Sequence, residues 1–386
     1  MSVIRQFTVR SPREIIVGWG AMAGLGKTVA GLGHRPLLVV GGGSLKASGR
    51  LAAISGDLEA AGLFVTVFEG VEHDPSTATI DRGREVFRAA GCDCVIAVGG
   101  GSAMDAGKAI AGLSAENAPT ADFVRGLAIT APVPPIVACT TTSGTGSEVT
   151  HVSVLTDTGR AVKAGIRTAG MMPSVAVVDA ELTVSLSRRQ TAFSGLDALT
   201  QAIESYVSAG ANPFSDPLAL EATVRIARWL RTACEQGAHR EARENMAVGS
   251  MLAGLALASA RLGLVHGIAH PLGALYGLAH GEACALLLPY VMEFNAEAGR
   301  GKFARLAREA SLVAADCPEA EAGAALVAWT RELCDALGCL RPFAGFGLRR
   351  EDYGAIVEAV MASGSTKANP RRVTPEDVVA LLDRAM

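Results

Sequence analysis

Residues 94–111 read CVIAVGGGSAMDAGKAIA: a short apolar run, three glycines, a serine, and then an Ala-rich stretch with helical spacing. An apolar run of that length entering a glycine turn is the pattern of a strand buried on both faces and followed by a crossover helix. Glycines let backbone N–H groups point at phosphate oxygens, and the helix N-terminus adds the positive end of its dipole, so the turn suits a pyrophosphate. A plain strand-to-helix turn would use the same residues.

The same texture recurs on both sides. Residues 37–40 (LLVV) run into Gly41, Gly42 and Gly43; residues 64–68 (FVTVF) are β-branched and aromatic; residues 136–139 (IVAC) precede a Thr-rich loop. A hairpin is expected within residues 152–163, turning at Asp157-Thr158-Gly159, and residues 175–178 close the set of strands. After Leu182 this rhythm gives way to long Ala/Leu-rich segments with helical periodicity. The expected architecture is therefore α/β plus all-α. An N-terminal Rossmann-like dinucleotide-binding domain spans residues 1–185, and a C-terminal helical domain spans 186–386, with breaks at Pro213, Pro217, Pro271, Pro289 and Pro342. At 386 residues the chain exceeds what one core usually organises, which agrees with two domains.

Composition narrows the function classes. A hydrophobic content of 49% against 19% charged residues is that of a globular enzyme rather than a disordered chain. With a net charge of -3, no basic run and few aromatics, nothing marks a nucleic-acid or membrane surface, so a small-molecule substrate is expected. The first residues, MSVIRQFTVRSP, lack an apolar core of a secretion signal, and the eight cysteines form no CxxC pair; both point to a cytoplasmic protein with reduced thiols. The most apolar stretch, residues 246–260, stops at Arg261 short of membrane-spanning length and reads as a buried helix.

Two further segments carry chemistry. The loop TTTSGTGSEVT, residues 140–150, supplies hydroxyls and glycines after a strand, as a ribose or phosphate contact would need and as a surface turn also does. Of seven histidines, His266, His270 and His280 fall within residues 263–289, GLVHGIAHPLGALYGLAHGEACALLLP. Imidazole is the commonest ligand of a catalytic transition metal, and spacing alone nominates His266 with His270, four apart on one helical face. Pro271 is expected to end or kink that helix. Upstream, residues 194–206, SGLDALTQAIESY, place Asp197 and Gln201 on one face, where Asp-x3-His would be a strong metal half-site.

Taken together, GGGSAMDAGK, TTTSGTGSEVT, SGLDALTQAIESY and the histidine segment, in this order over most of the chain, resemble the iron-containing (group III) alcohol dehydrogenases. The resemblance implies a dehydroquinate synthase-like two-domain architecture, an active site in the cleft between the domains, and a homodimer or larger assembly. It implies cofactor contacts at Gly99, Gly100, Gly101 and Ser102 for the pyrophosphate, at Thr141, Thr142, Thr145 and Thr150 in the hydroxyl loop, and at Lys163 for the ribose. The family's NAD-selecting aspartate matches Gly42, so both NAD and NADP are expected to serve. The implied metal ligands are Asp197, Gln201, His266 and His280, which replaces the helical pair suggested by spacing. Gln201 stands where the family has histidine.

The implied reaction moves a hydride between NAD(P)(H) and an alcohol/aldehyde pair, with a metal polarising the substrate oxygen and His270 as a proton relay. A glutamine carbonyl is a harder, neutral donor, so metal affinity should fall; Fe(II) is the expected ion, with Zn(II) or no metal as alternatives. A metal-free reductase of the maleylacetate reductase type, a dehydroquinate-synthase-like lyase and an inactive binding protein are the competing readings.

Overall fold

The computed structural model describes residues 6–160 and 162–386; the first five residues of the N-terminal stretch and Ala161 of the hairpin lie outside them. The chain divides into two compact units, Arg10–Val184 and Ser185–Met386, the latter joined by residues 6–9.

The first unit is built on strands β1 (Glu14–Val17), β2 (Pro36–Gly41), β3 (Thr66–Val71), β4 (Cys94–Gly99), β5 (Ile136–Thr140), β6 (Val152–Asp157), β7 (Val162–Arg167) and β8 (Val175–Val178). Six of them form one parallel sheet in the order β1-β8-β5-β4-β2-β3, and β6 pairs with β7 as a separate antiparallel ribbon. Alternate residues feed two cores: Leu37, Val39 and Val95 pack on one face, and Leu38, Val40, Ile96 and Val98 on the other. That double burial is why the strands read as unbroken apolar runs.

Strand order reverses direction between β2 and β4, and register aligns Val40 with Val98 and Gly99 with Thr140. The loops that follow β2, β4 and β5 therefore leave the same edge of the sheet, at the switch point where open α/β sheets take their ligands. Two local readings are corrected. The third strand starts at Thr66, because Phe64 is 68% exposed and precedes the pairing with β2. Edge strand β1 was not anticipated: its four residues EIIV are only partly covered, so no core pattern marks them.

The second unit consists of helices. Among them are α1 (Arg188–Val207), α2 (Ser215–Glu235), α3 (Arg240–Ala260), α4 (Leu264–Tyr276) and α5 (His280–Asn295). The first of these opens with a capping box: Gln190 N–H donates to Ser187 Oγ, and the Gln190 side-chain Oε1 accepts from Ser187 N–H. The apolar stretch 246–260 lies within α3, largely buried. Among the described residues no single helix is long and apolar enough to cross a membrane.

Pro271 and Pro289 do not break the chain as expected; both lie inside helices, α4 and α5. An internal proline costs about 3 kcal/mol. Leu264, Val265, Ile268 and Leu272 of α4 are fully enclosed in the helical core, and each such side chain contributes about 1.5–3 kcal/mol, so packing outweighs the lost bond. Pro217 sits in the first turn of α2, where its missing N–H would have had no helical partner.

Candidate active site

Helix α1 places Asp197, Gln201 and Glu204 on one buried face, four and then three residues apart. The Glu204 carboxylate does two things at once. It accepts the backbone N–H groups of Gly263 (2.9 Å) and Val265 (2.6 Å) at the start of α4, and its Oε2 lies 2.6 Å from His266 Nδ1. Only glycine permits this approach, since a Cβ at 263 would sit 2.8 Å from Glu204 Oε1. With the Nδ1 proton directed at Glu204, the other nitrogen, Nε2, faces Asp197 Oδ1 at 3.4 Å.

His280 opens α5 and Cys284 follows one turn later. His280 Nε2 is 3.6 Å from Asp197 Oδ1, and Cys284 Sγ lies 3.9 Å from His266 Nε2 and 3.8 Å from His280 Nε2. One ligand atom from each of Asp197, His266, His280 and Cys284 lies within 4.8 Å of all the others. His270 stands beside this group rather than in it, its ring stacked on His280 at 5.3 Å and 6.3 Å from His266. The helical pair suggested by spacing is thus corrected: a shared face aligns His266 with His270, but the approach of α5 puts His280 opposite His266, with ring centres 5.3 Å apart.

Two oxygens are left over. Gln201 Nε2 donates to Asp197 Oδ2 at 3.0 Å, while Asp197 Oδ1 and Gln201 Oε1 are buried and accept no hydrogen bond. An orphaned buried acceptor costs about 1–3 kcal/mol, which a cation between the carboxylate and the imidazoles would relieve. Burial opposes the charge on Asp197, but His280, His266 and the Gln201 amide hold its carboxyl below the usual range, so it stays anionic. The donor set fits a divalent metal.

In the first unit, the helix Gly101–Leu113 begins on Gly100 with no side-chain cap, leaving its first N–H groups for a ligand. Thr145 packs so closely that a Cβ at Gly101 would come within 2.7 Å of it, and Thr142 faces Gly100. Thr141 N–H donates to Gly99 O at 2.8 Å, tying the hydroxyl loop to the glycine loop. Ser102 Oγ accepts from Asp74 N–H, and Asp74 Oδ1 lies 2.6 Å from Lys163 Nζ, which draws Lys163 to the same corner. Thr150 is engaged inward instead, 3.2 Å from the buried ammonium of Lys108, which also contacts Asp105 and Ser147. Gly42 is exposed beside a cavity of about 290 Å³ lined by Gly41, Gly43, Lys46, Glu69 and Gly70. This glycine cradle with an uncapped helix start fits a pyrophosphate.

The family model described as iron-containing alcohol dehydrogenase matches residues 12–180, and that of the Fe-containing alcohol dehydrogenase family, C-terminal, matches residues 191–386. The chain belongs to the iron-containing alcohol dehydrogenase family. It is an oxidoreductase of alcohols and aldehydes. The chain is 36% identical over 383 residues to a 1,3-propanediol dehydrogenase of Klebsiella pneumoniae, covering 99% of each. It is 33% identical over 375 residues to an NAD-dependent methanol dehydrogenase of Bacillus methanolicus, covering 97% of this chain and 98% of that one. The crystal structure of a 1,3-propanediol oxidoreductase superposes with a TM-score of 0.95 at 36% identity, over 99% of this chain and 100% of the other.

Two residues at the histidine cluster of this alcohol dehydrogenase escape a reading of the sequence. Glu204 continues the Asp197–Gln201 face by one more turn, a signal visible only if the stripe is followed beyond the half-site. Cys284 stands four residues after His280, the same spacing that singled out Asp197 and Gln201.

Proposed function

We propose that the enzyme interconverts a small aldehyde and its alcohol with NAD(H) or NADP(H), assisted by a divalent metal, Fe(II) or Zn(II), held by Asp197, His266 and His280 with Gln201 beside them. The observation that carries this reading is Asp197 Oδ1, an anionic oxygen buried against two imidazole nitrogens and accepting no hydrogen bond. When bound, the metal supplies Lewis acidity to the substrate oxygen.

The chain's own groups supply the rest. Glu204 holds His266 in one tautomer, and the Gln201 amide fixes the Asp197 carboxylate. His270, stacked on His280 at the margin of the cluster, passes a proton to or from the substrate oxygen, as an imidazole does near neutral pH. For the cofactor, Gly99, Gly100, Gly101 and Ser102 take the pyrophosphate, Thr141, Thr142 and Thr145 line its flank, Thr150 braces the hydroxyl loop, and Lys163 serves the ribose. Gly42 leaves room for a 2′-phosphate with Lys46 close by, so NADPH is accepted along with NADH.

The test combines metal analysis with turnover of an aldehyde and alcohol panel before and after chelation, using both nicotinamide cofactors. Chelation should remove most turnover, and Fe(II) or Zn(II) should restore it. Full turnover in a rigorously metal-free preparation would overturn the reading.

A further inference from the structure

We propose that Cys284 is a ligand of this metal, its thiolate completing an Asp197–His266–His280–Cys284 set in a chain whose position 201 offers no imidazole. The inference rests on the metal-assisted reading of the site. Its first support is geometric. Donors sharing one tetrahedral ion, nitrogen and oxygen at about 2.0–2.1 Å and sulfur at about 2.3 Å, stand roughly 3.3–3.6 Å from one another. The distances found are 3.4 and 3.6 Å between Asp197 Oδ1 and the two imidazole nitrogens, and 3.8 and 3.9 Å between those nitrogens and Cys284 Sγ. These four separations exceed the tetrahedral values by no more than a few tenths of an ångström, and all four ligand atoms lie within 4.8 Å of one another.

The second support is independent of the cysteine. Asp197, 2% exposed, directs into the cluster an oxygen that accepts no hydrogen bond. Its other oxygen is occupied by the Gln201 amide, which is thereby engaged in holding the carboxylate. With its nitrogen committed there, Gln201 can offer a metal only Oε1, a neutral oxygen and a weaker donor than a thiolate. Cys284 already stands among the other donors, because α5 carries His280 and Cys284 one turn apart on the same face. On binding, the sulfur–metal bond forms and the S–H bond breaks, with the proton released to solvent. A soft donor in this place shifts preference toward Zn(II) and Co(II) and away from Fe(II).

X-ray absorption at the zinc edge of the zinc-loaded wild-type enzyme tests this without any substitution. One sulfur neighbour at about 2.3 Å alongside nitrogen and oxygen at about 2.0–2.1 Å is expected. A bound metal surrounded only by nitrogen and oxygen overturns the inference and returns the fourth place to Gln201, leaving metal assistance standing. Failure to bind any metal overturns both. In the Co(II)-loaded enzyme, a near-ultraviolet sulfur-to-cobalt charge-transfer band should be present in the wild type and absent in Cys284→Ser, whose Co(II) affinity should fall at least tenfold. Persistence of the band in Cys284→Ser would also overturn the inference.

Discussion

Glu148 shows how much one side chain of the hydroxyl loop is made to endure. It is buried, one carboxyl oxygen has no hydrogen-bond partner, and burial pushes its pKa up from 4.5 to about 7 despite the nearby Lys108 ammonium. The folded state thus keeps a proton that the unfolded chain has already lost, and stability must fall as pH rises from 4.5 to about 7. Glu148→Gln should abolish that slope, worth on the order of 3 kcal/mol, in urea denaturation measured across this pH window. Gly42 offers the opposite case, a position with space to spare: no atom lies within 4 Å of a Cβ built there. Gly42→Asp should fold normally and lower the NADPH-to-NADH ratio of kcat/KM by tenfold or more, since a carboxylate repels a 2′-phosphate and binds the 2′-hydroxyl.

Among the elements, the Glu204 carboxylate of α1 ties that helix to the start of α4. Glu204 takes two backbone donors at the start of α4 and also fixes the His266 ring, so Glu204→Gln weakens the helix start and the orientation of the imidazole together. Metal affinity, measured by competition with a chromophoric chelator, should fall about 10- to 100-fold. This coupling also marks the limit of what the sequence discloses. The buried strands are legible because burial on both faces leaves unbroken apolar runs such as residues 94–98, whereas β1, half-covered at the sheet edge, leaves no such trace. Asp197 and the three histidines are conspicuous as residue types. Glu204 becomes meaningful only once folding brings the start of α4 against α1, and a buried cysteine such as Cys284 is indistinguishable in sequence from a small apolar core residue. Pro271 and Pro289 are misleading for a related reason, because the packing that retains them inside helices is tertiary.

For the molecule as a whole, each unit has its own core and, in the proposed enzyme, its own ligand. On that proposal the cofactor lies against loops at one end of the parallel sheet, and the metal among α1, α4 and α5 of the helical unit. Any ligand that binds only the folded state stabilises it, by about 2.7 kcal/mol at a hundred times its Kd. Metal at that level should raise the thermal midpoint and slow amide exchange in α1, α4 and α5, and a chelator should reverse both. The reduced cofactor should instead protect residues 41–43 and 99–102. Exchange followed by mass spectrometry separates these effects, and metal-induced protection confined to the glycine loops would contradict the assignment.

The hydrogen bond between Glu204 and His266 also bears on how quickly the enzyme becomes competent. Because the carboxylate that sets the imidazole also closes the start of α4, a chain that has formed this helix has already chosen its tautomer and ring angle. An arriving cation therefore meets an oriented nitrogen rather than a side chain still exploring rotamers. If the proposed metal binds, its uptake by the apoprotein should then be limited by ion supply and desolvation rather than by a slow rearrangement of the protein.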